Sequence, residues 1–546
     1  MTRAIRWVLV LTFFASEASQ VAGHEDAPGR VIIRPCSPIE GAPVLGTYGG
    51  RTLEELVLVK QAGMNLVITA GPALDPQTPE GKFCLENGIK VMYPLQRYVN
   101  LPKLACAIRD TDTVIPLYHR KDRTVPAPGL VQIEEELIRY QESTRTALIG
   151  CQRGSDGTRP AAHREGIILF SPEACAREVQ AVKESPNLWG WYVLGDSPGD
   201  AVSALRALYR TIRRVEGDAG HHPVCAGYGS PGSTCNFAAG VCDIMMLYWY
   251  PVGARGYDRA MISREVQWQL TAARARVPGV PFIGVYQAYW HDETTPCPTP
   301  QQMREQMEDF VREGACGLIA YTNRLKKPFN GWDQSDSVQM AMRAAHAEIR
   351  SMGGLRVSPQ PTAIAEARIQ PVGVWEAPRE IAGLVPAWHV IGPLDDPHGD
   401  RLRAVHPPDT VVSLGAAYQG KIGPVQWTLR PSQAGYVGLG ELYGGNRTIV
   451  NALAYATCTV VSSREQDVQM RFGSDDDAAV FFDRKEVWRH EGQRGAHRDE
   501  DIVRVHLKSG ATNVLVKVCN RTGQWGFFMR FTDLGGRPLE GLDFAP

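Results

Sequence analysis

The sequence predicts a (β/α)8 barrel followed by an antiparallel β-sandwich. Three observations carry that reading. Eight apolar runs alternate with amphipathic segments from Ala42 to about Gly353. No glycine-rich dinucleotide loop follows the first run, as an open doubly wound sheet would favour. After about Pro386 the texture changes to short strands joined by turns, the pattern of a sandwich.

Taken in order, the chain opens on a leader-like stretch. Arg3 and Arg6 supply positive charge, Trp7 to Ala15 is a short apolar run, and Val21 and Gly23 sit at a plausible cleavage spacing. Residues 1–23 are read as a signal peptide, with the mature chain starting near His24 and a secreted or periplasmic destination. That run is short for a bilayer span, and no later segment approaches membrane-helix length.

Residues 24–353 are assigned to the barrel. Its strand candidates are "APVLGTYGG" from Ala42, "NLVITA" from Asn65, "KVMYPL" from Lys90 and "LWGWYVLGD" from Leu188. They continue with "HPVCAGYG" from His222, "DIMMLYWYPV" from Asp243, "PFIGVYQAYW" from Pro281 and "GLIAYTNR" from Gly317. Each is apolar throughout, as strands buried on both faces are. The clearest helix has Thr299 as cap, Pro300 at its first position, Gln302 completing a capping box, and an apolar face of Met303, Met307, Phe310 and Val311. Another runs from Asp200 to about Gly217 with Leu205, Leu208, Tyr209 and Ile212 facing inward. Two polar insertions, Arg97 to Gly129 and Ala147 to Ser171, follow the third strand and so belong over the C-terminal mouth. Residues 354–385 read as a linker and 386–546 as the sandwich.

Composition narrows the function. The chain has 546 residues, 44% hydrophobic and 21% charged, with a formal net charge of −1. That balance excludes an ordinary nucleic-acid binder, which carries a basic domain or stripe. There are twelve cysteines but no CxxC pair, so a cysteine-built zinc site is not expected. Several, such as Cys225, Cys316 and Cys519, lie in apolar runs and suit buried thiols.

The turn after the fourth strand, "GDSPG" from Gly195 to Gly199, draws the chemistry. In a (β/α)8 enzyme the site forms at the C-terminal strand ends, which puts Asp196 at the mouth. Asp196 and Asp200 can also simply cap the next helix. The turn matches the G-x-S-x-G nucleophile elbow as well. That chemistry needs an oxyanion donor from the residue after Ser197, and Pro198 has no N–H.

Here "NLWGWYVLGDSP" resembles the "GWY…DEP" strand end of secreted bacterial barrel proteins related to the clan A glycoside hydrolases. "DIMMLYWYPV", "PFIGVYQAYW" and "PTPQQMREQMEDFVREGACGLIAYTNR" resemble the sixth to eighth units of the same group. The resemblance covers most of Ala42 to Gly353 and implies a glycan substrate cleaved by carboxylate acid/base catalysis. It also implies a Glu after the Asp, where this chain has Ser197. Glycoside hydrolysis uses two carboxylates, roughly 5–5.5 Å apart for retention and 6.5–9.5 Å for inversion. Either Asp196 has taken over as acid/base, with Glu293 or Asp292 from "WHDET" as partner, or the barrel binds glycan without cleaving it. A Ser197 esterase is the third alternative.

No catalytic metal is expected. His291, Asp292 and Glu293 are adjacent without a metal-ligand spacing, and His221 and His222 precede the fifth strand, away from the mouth. Aromatics are the more consistent signal. Tyr48, Tyr93, Tyr228, Tyr248, Trp249, Tyr250, Tyr286, Tyr289, Trp290 and Tyr321 fall near C-terminal strand ends, with Gln287 and Asn323 beside them. Flat rings next to amide groups suit the apolar faces and polar rims of sugars.

In the second domain, "GSDDDAAVFFDRKEVW" resembles the Ser-Asp-Asp turn and hairpin of PA14-like sandwich modules. That resemblance places a structural calcium ion at Asp475, Asp476 and Asp477 as an expectation, against the reading of a solvated turn. No other cofactor is expected.

Overall fold

The computed structural model describes residues 30–33, 36, 38–99, 102–118, 127–195, 201–217, 222–229, 234, 237, 239–253, 256–291, 295–321, 329–351, 365–368, 383–432, 435–442, 449–522, 525–537, 539 and 541–546. Two compact units are present, the long stretch of the second beginning at Val372.

The first unit is built on eight strands: β1 (Val44–Tyr48), β2 (Leu66–Ile68), β3 (Lys90–Pro94), β4 (Leu188–Leu194), β5 (Val224–Tyr228), β6 (Ile244–Tyr248), β7 (Phe282–Gln287) and β8 (Gly317–Tyr321). Every neighbouring pair is parallel, and β8 pairs with β1 to close the ring. All eight strands coincide with the runs expected from sequence. Successive side chains of a strand point to opposite faces. One set, including Val44, Leu66, Ile68, Met92, Tyr192, Cys225, Met246, Val285 and Ile319, fills the lumen as a single apolar cluster. The intervening set meets the helices.

Those helices are α1 (Leu53–Gln61), α2 (Pro79–Glu86), α3 (Pro172–Val182), α4 (Val202–Glu216), α5 (Met261–Arg274), α6 (Pro300–Arg312) and α7 (Asp336–Ser351). The capping box on α6 forms, with Thr299 Oγ1 accepting from the Gln302 N–H and the Gln302 side chain accepting from the Thr299 N–H. Met303, Met307 and Phe310 are buried, Val311 only partly. A Cβ on Gly284 of β7 would stand 2.4 Å from the Phe310 ring, so α6 packs directly on the strand. Leu205, Leu208, Tyr209 and Ile212 of α4 are buried as expected. Below them Asp243 accepts from the Tyr209 hydroxyl, the Arg213 guanidinium and the Val224 N–H, which ties α4 to the start of β5.

The sequence reading separates two insertions after β3, and the structure joins them. Residues 130–146, between the two, form the hairpin Gly129–Ile133 with Glu136–Tyr140. Strands Lys103–Leu104, Val114–Tyr118, Glu142–Ser143 and Ala147–Ile149 make a four-stranded sheet beside it. Leu104, Ile115, Leu117, Ile133, Ile138, Leu148 and Ile167 give this segment a core of its own. Under it lies Glu136, almost fully buried, which accepts from both Arg153 Nε and Nη2, the Gly154 and Ala161 N–H groups, and His163 Nε2.

Strand Arg30–Ile33 pairs antiparallel with Ala365–Arg368, inside the stretch read as linker. The second unit is a two-sheet sandwich. Its strands are β9 (Ala387–Asp395), β10 (Thr428–Pro431), β11 (Tyr436–Gly438), β12 (Ala452–Ser462), β13 (Gln466–Asp475) and β14 (Asp477–Phe482). They continue with β15 (Lys485–His490), β16 (Asp501–Leu507), β17 (Gly510–Asn520), β18 (Gly526–Thr532) and β19 (Leu542–Ala545). One sheet runs β10-β9-β12-β17-β14-β15, with β19 on β12, and the other β11-β18-β13-β16. Inner residues of both, among them Trp388, Ala454, Val516, Phe472 and Phe527, form the core between them. The run "GYVGLGELY" departs from the expected strand. It leaves the sheet after Gly438 because the Leu439 and Gly440 N–H groups both turn onto the Trp525 carbonyl, opening a short helix.

Candidate functional site

The C-terminal strand ends decide what the barrel mouth offers. They are Tyr48, Ile68, Pro94, Leu194, Tyr228, Tyr248, Gln287 and Tyr321. None is a carboxylate. Asp196, Asp292, Glu293 and Ser197, the residues expected to carry chemistry, lie outside the described residues, as does Asn323.

Strand parity sorts the aromatics. Tyr48, Tyr192, Tyr248 and Tyr321 belong to the lumen set. Tyr48 meets Tyr192 with ring centroids 5.7 Å apart and their hydroxyls 3.2 Å apart. It meets Tyr321 edge-on at 5.1 Å. Tyr250, from the loop after β6, stacks on Tyr321 at 5.5 Å and on Tyr248 at 6.1 Å. Tyr289 closes on Tyr250 and Tyr321 at 5.2 and 5.7 Å. Six tyrosines therefore form one contiguous cluster, five of them still partly exposed. Burial holds the Tyr48 and Tyr321 hydroxyls above their ordinary range and pushes Tyr289 up to about 12. At neutral pH these are uncharged hydrogen-bonding groups, not bases.

The other candidates sit elsewhere. Tyr286 points to the helix layer, where its hydroxyl meets His346 Nε2 at 3.2 Å. Tyr228 is fully buried against Phe237. Tyr93 turns outward, with its hydroxyl donating to Glu178 of α3 at 2.8 Å. Trp249 is buried on the opposite parity from Tyr248 and Tyr250. Trp290 lies on a two-stranded ribbon, paired with Asn330. Gln287 faces inward but is fully buried, and its amide is committed. Its Nε2 donates to the Val252 carbonyl at 2.9 Å and its Oε1 accepts from the Val252 N–H at 3.0 Å. It therefore anchors the loop that carries Tyr250.

Tyr192 completes the cluster without having been singled out as a candidate. Alternation along β4 was the available signal for Tyr192, but that strand shifts register between Tyr192 and Leu194, which breaks the count. The Tyr248 hydroxyl donates to the Gly195 carbonyl at 2.8 Å, so the cluster reaches the residue before Asp196. A Cβ on Gly227 would stand 2.1 Å from that carbonyl; only glycine leaves it room.

In the sandwich Asp476 and Asp477 form a clamp. Asp476 accepts from the N–H groups of Arg494, Arg521 and Thr522 at 3.0, 2.7 and 3.3 Å. Asp477 takes the Arg521 guanidinium on both oxygens and the Gly492 N–H at 2.8 Å. A calcium ion needs roughly six to eight oxygen donors. These carboxylates are spent on N–H groups and a resident cation, so the donor set does not fit calcium. Asp475 has a different character. Burial, with Asp476 beside it, pushes its carboxyl up to about 8.

No protein-family model matches the chain, and no curated relative is similar to it. Among solved structures, a Bacteroides uniformis beta-glucuronidase is similar over 90% of this chain and 66% of its own, at 10% identity and TM-score 0.32. A glycoside hydrolase family 5 protein from Bacteroides vulgatus is similar over 90% and 93%, at 12% identity and TM-score 0.34. The endo-beta-1,4-mannanase of Thermotoga petrophila is similar over 87% and 99%, at 8% identity and TM-score 0.33. The chain spans just under two thirds of that glucuronidase and 46% of a GH2 beta-galacturonidase from Eisenbergiella tayi. At such scores the likeness carries no argument; barrel and sandwich rest on their own strand pairing. Among the described residues no helix is long and apolar enough to cross a membrane.

Proposed function

We propose that this is an exported, glycan-acting barrel of the glycoside hydrolase type. The tyrosine cluster is the platform for the sugar, Asp196 the acid/base, and Glu293 or Asp292 its partner. The sandwich is an accessory module. One observation carries the glycan reading: six tyrosines from four strands, one loop and a short ribbon converge at the C-terminal end of the barrel, five of them partly exposed. Sugar rings bind such surfaces through their C–H faces and through hydroxyls at the ring edges.

A second reading keeps the platform and drops the chemistry. It is favoured by the eight strand ends, none of them acidic, and by Ser197 in place of the acid/base Glu. A polysaccharide panel scored for both retention and new reducing ends separates the two. Hydrolysis predicts reducing ends that vanish in Asp196→Asn while retention persists. Retention without reducing ends in the wild type selects the binding protein, and neither signal on any glycan removes both. Ester turnover lost in Ser197→Ala would instead select the esterase.

A further inference from the structure

We propose that Cys36 and Cys316 form a disulfide that ties the segment entering the barrel to the start of its last strand. Cys316 directly precedes β8, at the N-terminal end of the barrel and thus opposite the tyrosines. Cys36 is half-buried and packs against the lumen cluster. Its Sγ lies 3.8 Å from the Cys316 carbonyl oxygen, and the Cys316 thiol, turned to the Phe282 carbonyl at 3.1 Å, lies on the same side of the barrel floor. A lone buried thiol packs as a small hydrophobe. Two thiols from segments 280 residues apart, brought together at one point, are placed for a bond.

In the step, both thiols lose their protons and the new S–S bond forms. A small-molecule disulfide takes up the electron pair and the protons and leaves as two thiols. The hydrogen bond to Cys316 and burial hold the Cys36 thiol above its ordinary range. Only the thiolate attacks, so exchange is slow once the barrel floor is packed. The bond therefore forms during folding. Its closed loop is long, and long loops gain most from cross-linking in the chain-entropy account.

The test is oxidative refolding of the full chain in a reduced/oxidised glutathione buffer. Free thiols are then alkylated in denaturant and the digest is mapped by mass without reduction. The expected product joins the Cys36 and Cys316 peptides, two hydrogens lighter than the thiol pair. Reduction should lower the barrel Tm by about 5 °C, and Cys36→Ser should abolish that difference while leaving Cys316 alkylated. Both cysteines fully alkylated after oxidation, or Cys36 joined instead to Cys225, overturns the proposal. Should Cys36→Ser not fold, the wild-type map still decides.

Discussion

At the scale of single residues, parity is what separates platform from core. Tyr286 and Gln287 are neighbours, yet one reaches the helix layer and the other the lumen. Tyr250→Ala removes the ring that stacks on both Tyr248 and Tyr321. It should weaken glycan retention about tenfold or more, read by affinity electrophoresis, with little change in Tm. Tyr286→Phe should do the reverse: glycan retention unchanged and stability lower by about 1 kcal/mol in a urea melt, for one lost hydrogen bond. Apolar runs announced where the strands stop, so the aromatic character of the mouth was legible. Which rings converge was not, because in a strand buried on both faces the sequence lacks the polar/apolar alternation that marks inside from outside.

Elements are fastened by a few buried polar groups, and these set the acid response. His346 of α7 is fully enclosed, with Nδ1 donating to the Ala62 carbonyl at 2.8 Å and Nε2 accepting from Tyr286. Burial lowers its pKa to about 4. The unfolded chain, at about 6.5, therefore binds a proton that the folded barrel refuses. Stability should fall as pH drops from about 6.5 toward 4, by about 3 kcal/mol, and His346→Phe should flatten that slope in urea melts. Glu136 acts lower on the scale. Burial pushes its carboxyl up, but Arg153, His163 and two N–H groups outweigh it and hold it below the ordinary range. Its contribution is present above about pH 4.3 and is lost as pH falls through the depressed folded value. Glu136→Ala leaves the buried Arg153 guanidinium without its carboxylate, holding only backbone carbonyls such as that of Ala161. It should cost the 103–170 segment about 3–5 kcal/mol, measured by hydrogen exchange at its amides. Nothing in "GLVQIEEELIRY" marks Glu136 as different from Glu134 and Glu135; a long-range partner, Arg153, makes it so.

Across the whole molecule, one sandwich carboxyl answers pH with the opposite sign to His346 and Glu136 of the barrel. The barrel loses stability on acidification through His346 and Glu136. In the sandwich Asp475, with its folded pKa raised to about 8, favours the folded state when protonated. That contribution is fully present below about pH 3.9 and fades as pH rises toward 8; Asp475→Asn should remove the loss. Calcium and chelator should leave the sandwich Tm unchanged, whereas Arg521→Ala, which strands buried Asp477, should lower it. The sequence by itself determined the eight strand positions, the α6 cap and the sandwich after the barrel. Those features are local: apolar runs of strand length, cap residues at fixed offsets and turn signals. Tertiary structure alone decided which tyrosines share a surface, that the two insertions are one folded segment, that Asp476 and Asp477 clamp backbone and arginine, and that Cys36 meets Cys316. Each depends on chain-distant atoms brought within a few ångströms by ring closure or sheet pairing, a distance that no local pattern of residues encodes.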